Sequence, residues 1–107
     1  MANTYKNAKV DLTTTNATTV LTTPVGSTNI IKSILASEDS GNADTITLTI
    51  TDTASAVFSL FKVKAVGANT TVELLTQPLV LQDSEILKAT AATANRLHLV
   101  VSYLEIS

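Results

Sequence analysis

The sequence has no cysteine, no tryptophan, one histidine, two prolines and three glycines. The lack of cysteine excludes disulfides, thiol nucleophiles and cysteine-based zinc sites, so packing alone must hold the chain together. Charge is also scarce, at 15% of residues, with a net charge of −2 and a pI near 5.1. The few lysines are scattered, so the basic footprint that grips phosphate is missing and nucleic acid is not an expected partner. No apolar run approaches the ~18 residues that cross a bilayer as a helix. The opening Met1-Ala2-Asn3-Thr4-Tyr5-Lys6-Asn7 lacks the apolar core of a secretory signal. The reading is a soluble chain made in the cytoplasm, with no membrane partner.

Apolar residues make up 45% of the 107 positions, too many for a disordered tail and enough for one domain spanning residues 1–107. Threonine is the commonest residue, at nineteen positions. With Val, Ile and Leu it biases the chain toward strands, because branched side chains suit a pleated, half-buried surface.

Strand candidates recur at short intervals. They cover Lys6–Leu12, Ala17–Thr23, Asn29–Ser37, Asp44–Asp52, Ala56–Ala65, Thr70–Thr76, Leu79–Leu81, Ile86–Thr90 and Arg96–Ile106. Turn residues separate them, as in Pro24-Val25-Gly26-Ser27 and Val66-Gly67-Ala68-Asn69. The pattern predicts an all-β, single-domain antiparallel β-sandwich of about eight strands, jelly-roll-like, since two packed sheets bury the inner faces of so many short strands. Asn29–Ser37 is apolar on both faces apart from Lys32 and Ser33, which marks a central strand. Ala56–Ala65 carries Phe58 and Phe61, both expected in the core. Ala91–Ala94 reads as a loop or a single helical turn.

Asp44-Thr-Ile-Thr-Leu-Thr-Ile-Thr-Asp52 alternates without a slip. Ile46, Leu48 and Ile50 fix its register, because a slip of one residue would turn them out to water. The other face is Thr45, Thr47, Thr49 and Thr51. Such a row is neutral and costs little side-chain entropy to order, so it suits contact with a neighbouring protein as well as with water.

Candidate chemistry is sparse. His98 lies in the last strand on the face opposite Leu97 and Leu99, and sequence places no nucleophile or carboxylate beside it, so it reads as a surface or interface side chain. Glu38-Asp39-Ser40-Gly41-Asn42-Ala43-Asp44 holds oxygen ligands near a glycine but lacks the spacing and distal glutamate of a calcium loop, and is read as a hairpin turn. Asp83 and Glu85 share one turn and cannot flank a sugar ring. Asn16-Ala17-Thr18 and Asn69-Thr70-Thr71 match the glycosylation pattern at the rate expected in a threonine-rich chain. The reading is no enzyme, no catalytic residue, no metal and no cofactor. A glycan-binding sandwich relies on exposed rings, for which only Tyr5 and Tyr103, near the termini, remain. The last strand is apolar on both faces through Ile106, as in a central strand or a subunit contact. The candidate interface residues are therefore Tyr5, Thr45, Thr47, Thr49, Thr51, Tyr103 and Ile106.

Three segments carry a family resemblance: Pro24-Val25-Gly26-Ser27-Thr28-Asn29-Ile30-Ile31-Lys32-Ser33-Ile34, Leu74-Leu75-Thr76-Gln77-Pro78-Leu79-Val80-Leu81, and Arg96-Leu97-His98-Leu99-Val100-Val101-Ser102-Tyr103-Leu104-Glu105-Ile106. With Tyr5-Lys6-Asn7 they resemble the small β-rich virion proteins of tailed bacteriophages, notably those of cyanobacteria and other marine bacteria. In that family a Gly-Asp turn commonly precedes the penultimate strand, where this chain has Ser84-Glu85. The resemblance implies a structural virion component, a capsid decoration or cement protein, or else part of the neck, tail or baseplate; a receptor- or glycan-binding β-sandwich module is the alternative reading. The resemblance implies as partners the major capsid protein or other virion proteins, self-association as a trimer or another closed ring, and residence in the virion after synthesis in the host cytoplasm. It carries over no catalytic residues.

Overall fold

The computed structural model describes residues 2–107 and contains nine strands: β1 (Asn3–Leu12), β2 (Thr18–Thr22), β3 (Thr28–Glu38), β4 (Asp44–Thr51), β5 (Val57–Val66), β6 (Thr71–Glu73), β7 (Leu79–Leu81), β8 (Ile86–Ala91) and β9 (Leu97–Ile106). No described residue is helical, and residues 92–96 form a loop. One sheet runs β1-β9-β3-β6, with β7 also on β3; the other runs β2-β8-β4-β5. Every pairing is antiparallel. Because β6 and β7 share one place beside β3, this is the strand order of an eight-position jelly roll, the architecture expected.

Strand alternation builds the core. From β9, Leu97, Leu99 and Val101 are sealed against Ile31, Ile34 and Ala36 of β3 on one side of the sandwich and Ile46, Leu48, Leu87 and Ala89 on the other. Each fully buried Leu or Ile contributes about 1.5–3 kcal/mol from removal of apolar surface from water, before the entropy of ordering is subtracted. The Thr-aliphatic alternation of β4 survives intact, with Ile46 and Leu48 at 0% exposure.

Three strands depart from simple alternation: β2 shifts register against β8 between Thr19 and Leu21, so that Val20 and Leu21 are both buried, and β3 and β5 are bulged. Between Ile31 and Ser33, β3 shifts register against β9. The Glu73 carboxylate holds this bulge, accepting the backbone N–H of Ile34 at 2.8 Å and the Ser33 hydroxyl. On β5, two register shifts against β4 break the period of two, and Val63 adopts φ 54°. Phe58, expected in the core, is 56% exposed, and Phe61 is only half-buried. Phe58 precedes both shifts and stands opposite Ile50, on the core side, so its exposure follows from its place near the start of an edge strand with no strand beyond it.

Candidate interaction surface

The outer face of the β1-β9-β3 sheet carries an apolar row that crosses four strands. Tyr5 stands opposite Leu104, Leu104 opposite Ile30, and Ile30 opposite Val80. Tyr5 is 77% and Val80 51% exposed, while Leu104 and Ile30 are half-buried. Ile106 lies at the end of the same face, opposite Asn3 and Thr28. Further along, Val100 and Leu35 face each other between Lys9 and Glu73. Apolar side chains gathered on one outer face are the signature of a surface that meets another molecule. Tyr5 and Ile106 thus share this face. Tyr103 does not: it points inward opposite Ile31, only 8% exposed, because its neighbours Ser102 and Leu104 take the outward positions of β9.

The opposite outer face is the threonine surface. Thr45, Thr47, Thr49 and Thr51 are half-buried, set beside Thr90, Lys88 and Ile86 of β8 and Ala65, Ser59 and Val57 of β5. Lys88 is the charged residue in this ladder, and no carboxylate joins it. Thr47 Oγ1 accepts the N–H of Val63 at 3.1 Å and so pins the bulge of β5. The Thr51 hydroxyl is buried without a partner.

His98 lies between two aspartates. Its Nδ1 meets Asp11, across the ladder on β1, and its Nε2 meets Asp39 Oδ1 at 3.0 Å, just past the end of β3. Hydrogen bonds to Asp11 and then Asp39 raise the histidine pKa above its ordinary value. With both ring nitrogens committed to carboxylates, the imidazolium has no free lone pair with which to act as a base or bind a metal. A surface cavity of ≈ 270 Å³ beside it is lined by Lys9, Val10, Asp11, His98, Leu99 and Val100. Among the described residues, no group of three or more His, Asp or Glu could hold a metal ion.

The carboxylates are used inside the fold. Glu38, 2% exposed, accepts the backbone N–H groups of Ser40, Gly41, Asn42 and Asn69 and the Ser40 hydroxyl. These bonds overcome burial and pull its pKa down to about 2. The loop with calcium-like residues is therefore organised around an inward-turned glutamate. Asp44 accepts from Thr93 N–H at 3.0 Å, Asp52 from Ala54 and Ala56 at 2.9 Å, Asp83 from Gly26 at 2.8 Å and Glu85 from Gln82 at 2.7 Å. Glu105 pairs with Lys6 at 2.6 Å. With Glu73, Asp11 and Asp39 this accounts for all nine acidic side chains.

No protein-family model and no curated protein sequence matches the chain.

Sequence reasoning placed His98 on the outer face but missed Asp11 and Asp39, which register brings together across 87 and 59 positions of chain. The apolar row did leave a signal, since β3 and β9 are the two strands apolar on both faces. Val80 had none, because β7 is only three residues long.

Proposed function

We propose that the protein is a non-enzymatic structural component of a phage virion that decorates or cements the capsid. The observation that carries this reading is the apolar row Tyr5-Leu104-Ile30-Val80 on the outer face of one sheet. A row of this kind is costly to leave in water and suits a fixed protein contact. Two further features agree with it. Jelly rolls recur in viral capsid proteins, a fold-level analogy that fits the resemblance of the three segments. Glu38, Asp44, Asp52, Asp83 and Glu85 are occupied as loop locks and the other four carboxylates pair within the fold, so the charge distribution serves architecture. The mechanism is mechanical: shallow contacts on the larger capsid subunits, repeated over many copies, add up through multivalency.

The test is quantitative mass spectrometry of particles purified through a density gradient. Capsid decoration requires the protein at a fixed ratio of hundreds of copies per particle, whereas a neck, tail or baseplate part would be present at a small multiple of three or six. Recovery only as free protein in the lysate overturns the proposal.

A further inference from the structure

The four edges of the two sheets are unequal. The edge strand β2 has five residues and a register shift between Thr19 and Leu21. Edge β5 has two register shifts, a β-branched residue at positive φ, and Lys62 and Lys64. The edge beside β3 is split into the three-residue strands β6 and β7, with Pro78 between them. Bulges, lysines, proline and short length are the devices that stop an edge from pairing with another chain. Edge β1 also carries two lysines, Lys6 and Lys9, but Lys6 is paired with Glu105, and the strand has no bulge, no proline and no break: it is ten residues long, in unbroken register with β9 from Asn3 to Leu12.

Its hydrogen-bonding side can be worked out. Ala2 and Ser107 exchange both backbone bonds, at 3.0 and 2.9 Å. Bonded and non-bonded pairs alternate along an antiparallel ladder. Thr4, Lys6, Ala8 and Val10 therefore turn their amides to β9, and Asn3, Tyr5, Asn7, Lys9 and Asp11 turn theirs to the open edge. The side chains of this second set all lie on the outer face, in ladder with Ile106, Leu104, Ser102, Val100 and His98.

We propose that β1 is a self-pairing edge through which two copies of this chain join their sheets about a two-fold axis at Asn7. Antiparallel pairing centred there sets Lys9 beside Tyr5 of the second copy, Asp11 beside Asn3, and Asn7 beside Asn7. The inner face pairs Thr4 with Val10 and Lys6 with Ala8. No like charges oppose each other. Lys9, which makes no salt bridge among the described residues, gains an aromatic face, and Tyr5 loses its exposure. Asp11 gains an amide donor. A register shifted by two, with Ala8 on the axis, would set Asp11 beside Tyr5 and forfeit these matches. The Asp11 carbonyl already accepts the Thr13 N–H at 3.1 Å, so the open groups supply about eight backbone hydrogen bonds at the Asn7 register. Each copy has one unprotected edge, so the association closes at two copies, a dimer and not the trimer that the family resemblance implies. This inference does not rest on a virion role.

The experiment is native mass spectrometry and sedimentation equilibrium of the full chain and of Asn7→Pro. Proline removes one outward N–H and leaves the β1-β9 ladder its bonds, which an edge strand tolerates. The expected result is a wild-type dimer, an Asn7→Pro monomer and unchanged circular dichroism. Should Asn7→Pro fail to fold, Asn7→Cys decides. The chain has no other cysteine, and facing Cα atoms in such a pair lie about 5.5 Å apart, within disulfide reach. Mild oxidation should then give a covalent dimer, while Lys9→Cys alone should give none. A wild-type monomer, an oligomer indifferent to Asn7→Pro, or equal cross-linking at both positions overturns the proposal. So does a stable complex formed only with a different chain on this edge.

Discussion

The carboxylate of Glu38, at the end of β3, accepts the backbone N–H of Asn69 at 3.1 Å, from a turn thirty-one residues away. The same carboxylate closes the β3–β4 loop through Ser40, Gly41 and Asn42. One buried side chain thereby ties together two turns, β3–β4 and β5–β6, each of which crosses from one sheet to the other. Glu38→Gln keeps the shape but replaces a charged acceptor with a weaker one and adds a donor among N–H groups. The expected outcome is a fall in Tm on the order of 10 °C by calorimetry.

The same residue sets the acid limit of the fold. Its pKa lies near 2 in the folded chain, below the ordinary carboxylate value of 4.5. The unfolded chain therefore takes up this proton first as pH falls. The stabilisation is complete above the ordinary carboxylate range and is lost as pH falls through it toward about 2. Glu73 and Asp83 are shifted in the same direction and add to the effect. Tm measured from pH 6 down to pH 2 should decline for the wild type and decline less steeply for Glu38→Gln.

His98 behaves oppositely. Asp11 and Asp39 raise its pKa, so its contribution is present below the ordinary histidine value and is lost as pH rises through the raised one. As the sole histidine it gives one ring signal in an NMR titration. The midpoint should lie above 6.5, the ordinary value, and should move down in Asp11→Asn and further in Asp11→Asn with Asp39→Asn.

Val63 is a β-branched residue with φ 54° and 60% exposure. Its backbone carries steric strain of about 1–3 kcal/mol with little packing in return. Val63→Asn, which tolerates that conformation, should raise stability by about 1 kcal/mol in urea unfolding. A loss of stability would mean that the β5 bulge is held by the valine side chain.

The apolar row separates folding from contact. Val80→Glu, at a half-exposed site, should change stability by no more than about 0.5 kcal/mol, yet reduce binding to particles by tenfold or more. Leu48→Ala, in the core beneath the threonine face, should cost about 2–5 kcal/mol. If Val80→Glu binds particles as well as the wild type, the row is not the contact.

The sandwich was legible wherever one face of a strand is buried and the other wet, as in Asp44–Thr51, where Ile and Leu alternate with Thr. The flanking aspartates also have a place in it: Asp52 closes the next turn and Asp44 holds the loop before β9. Phe58 does point to the core side, opposite Ile50, but it sits on an edge strand, and which strand ends up at an edge is set by the sheet topology, which local sequence does not encode. Tyr103 was misread as surface because β9 is apolar on both faces, so hydrophobicity alone does not tell in from out. The His98-Asp11-Asp39 cluster was out of reach for the same reason as most sites: register, not spacing, brings its members together.

The most direct test of the account is a density map of the intact particle at a resolution that separates β-sheets. The account predicts this jelly roll on the capsid exterior, with the face bearing Tyr5, Leu104, Ile30 and Val80 covered by a neighbouring subunit. A map with that face open to solvent, or with no density for the chain, would contradict it.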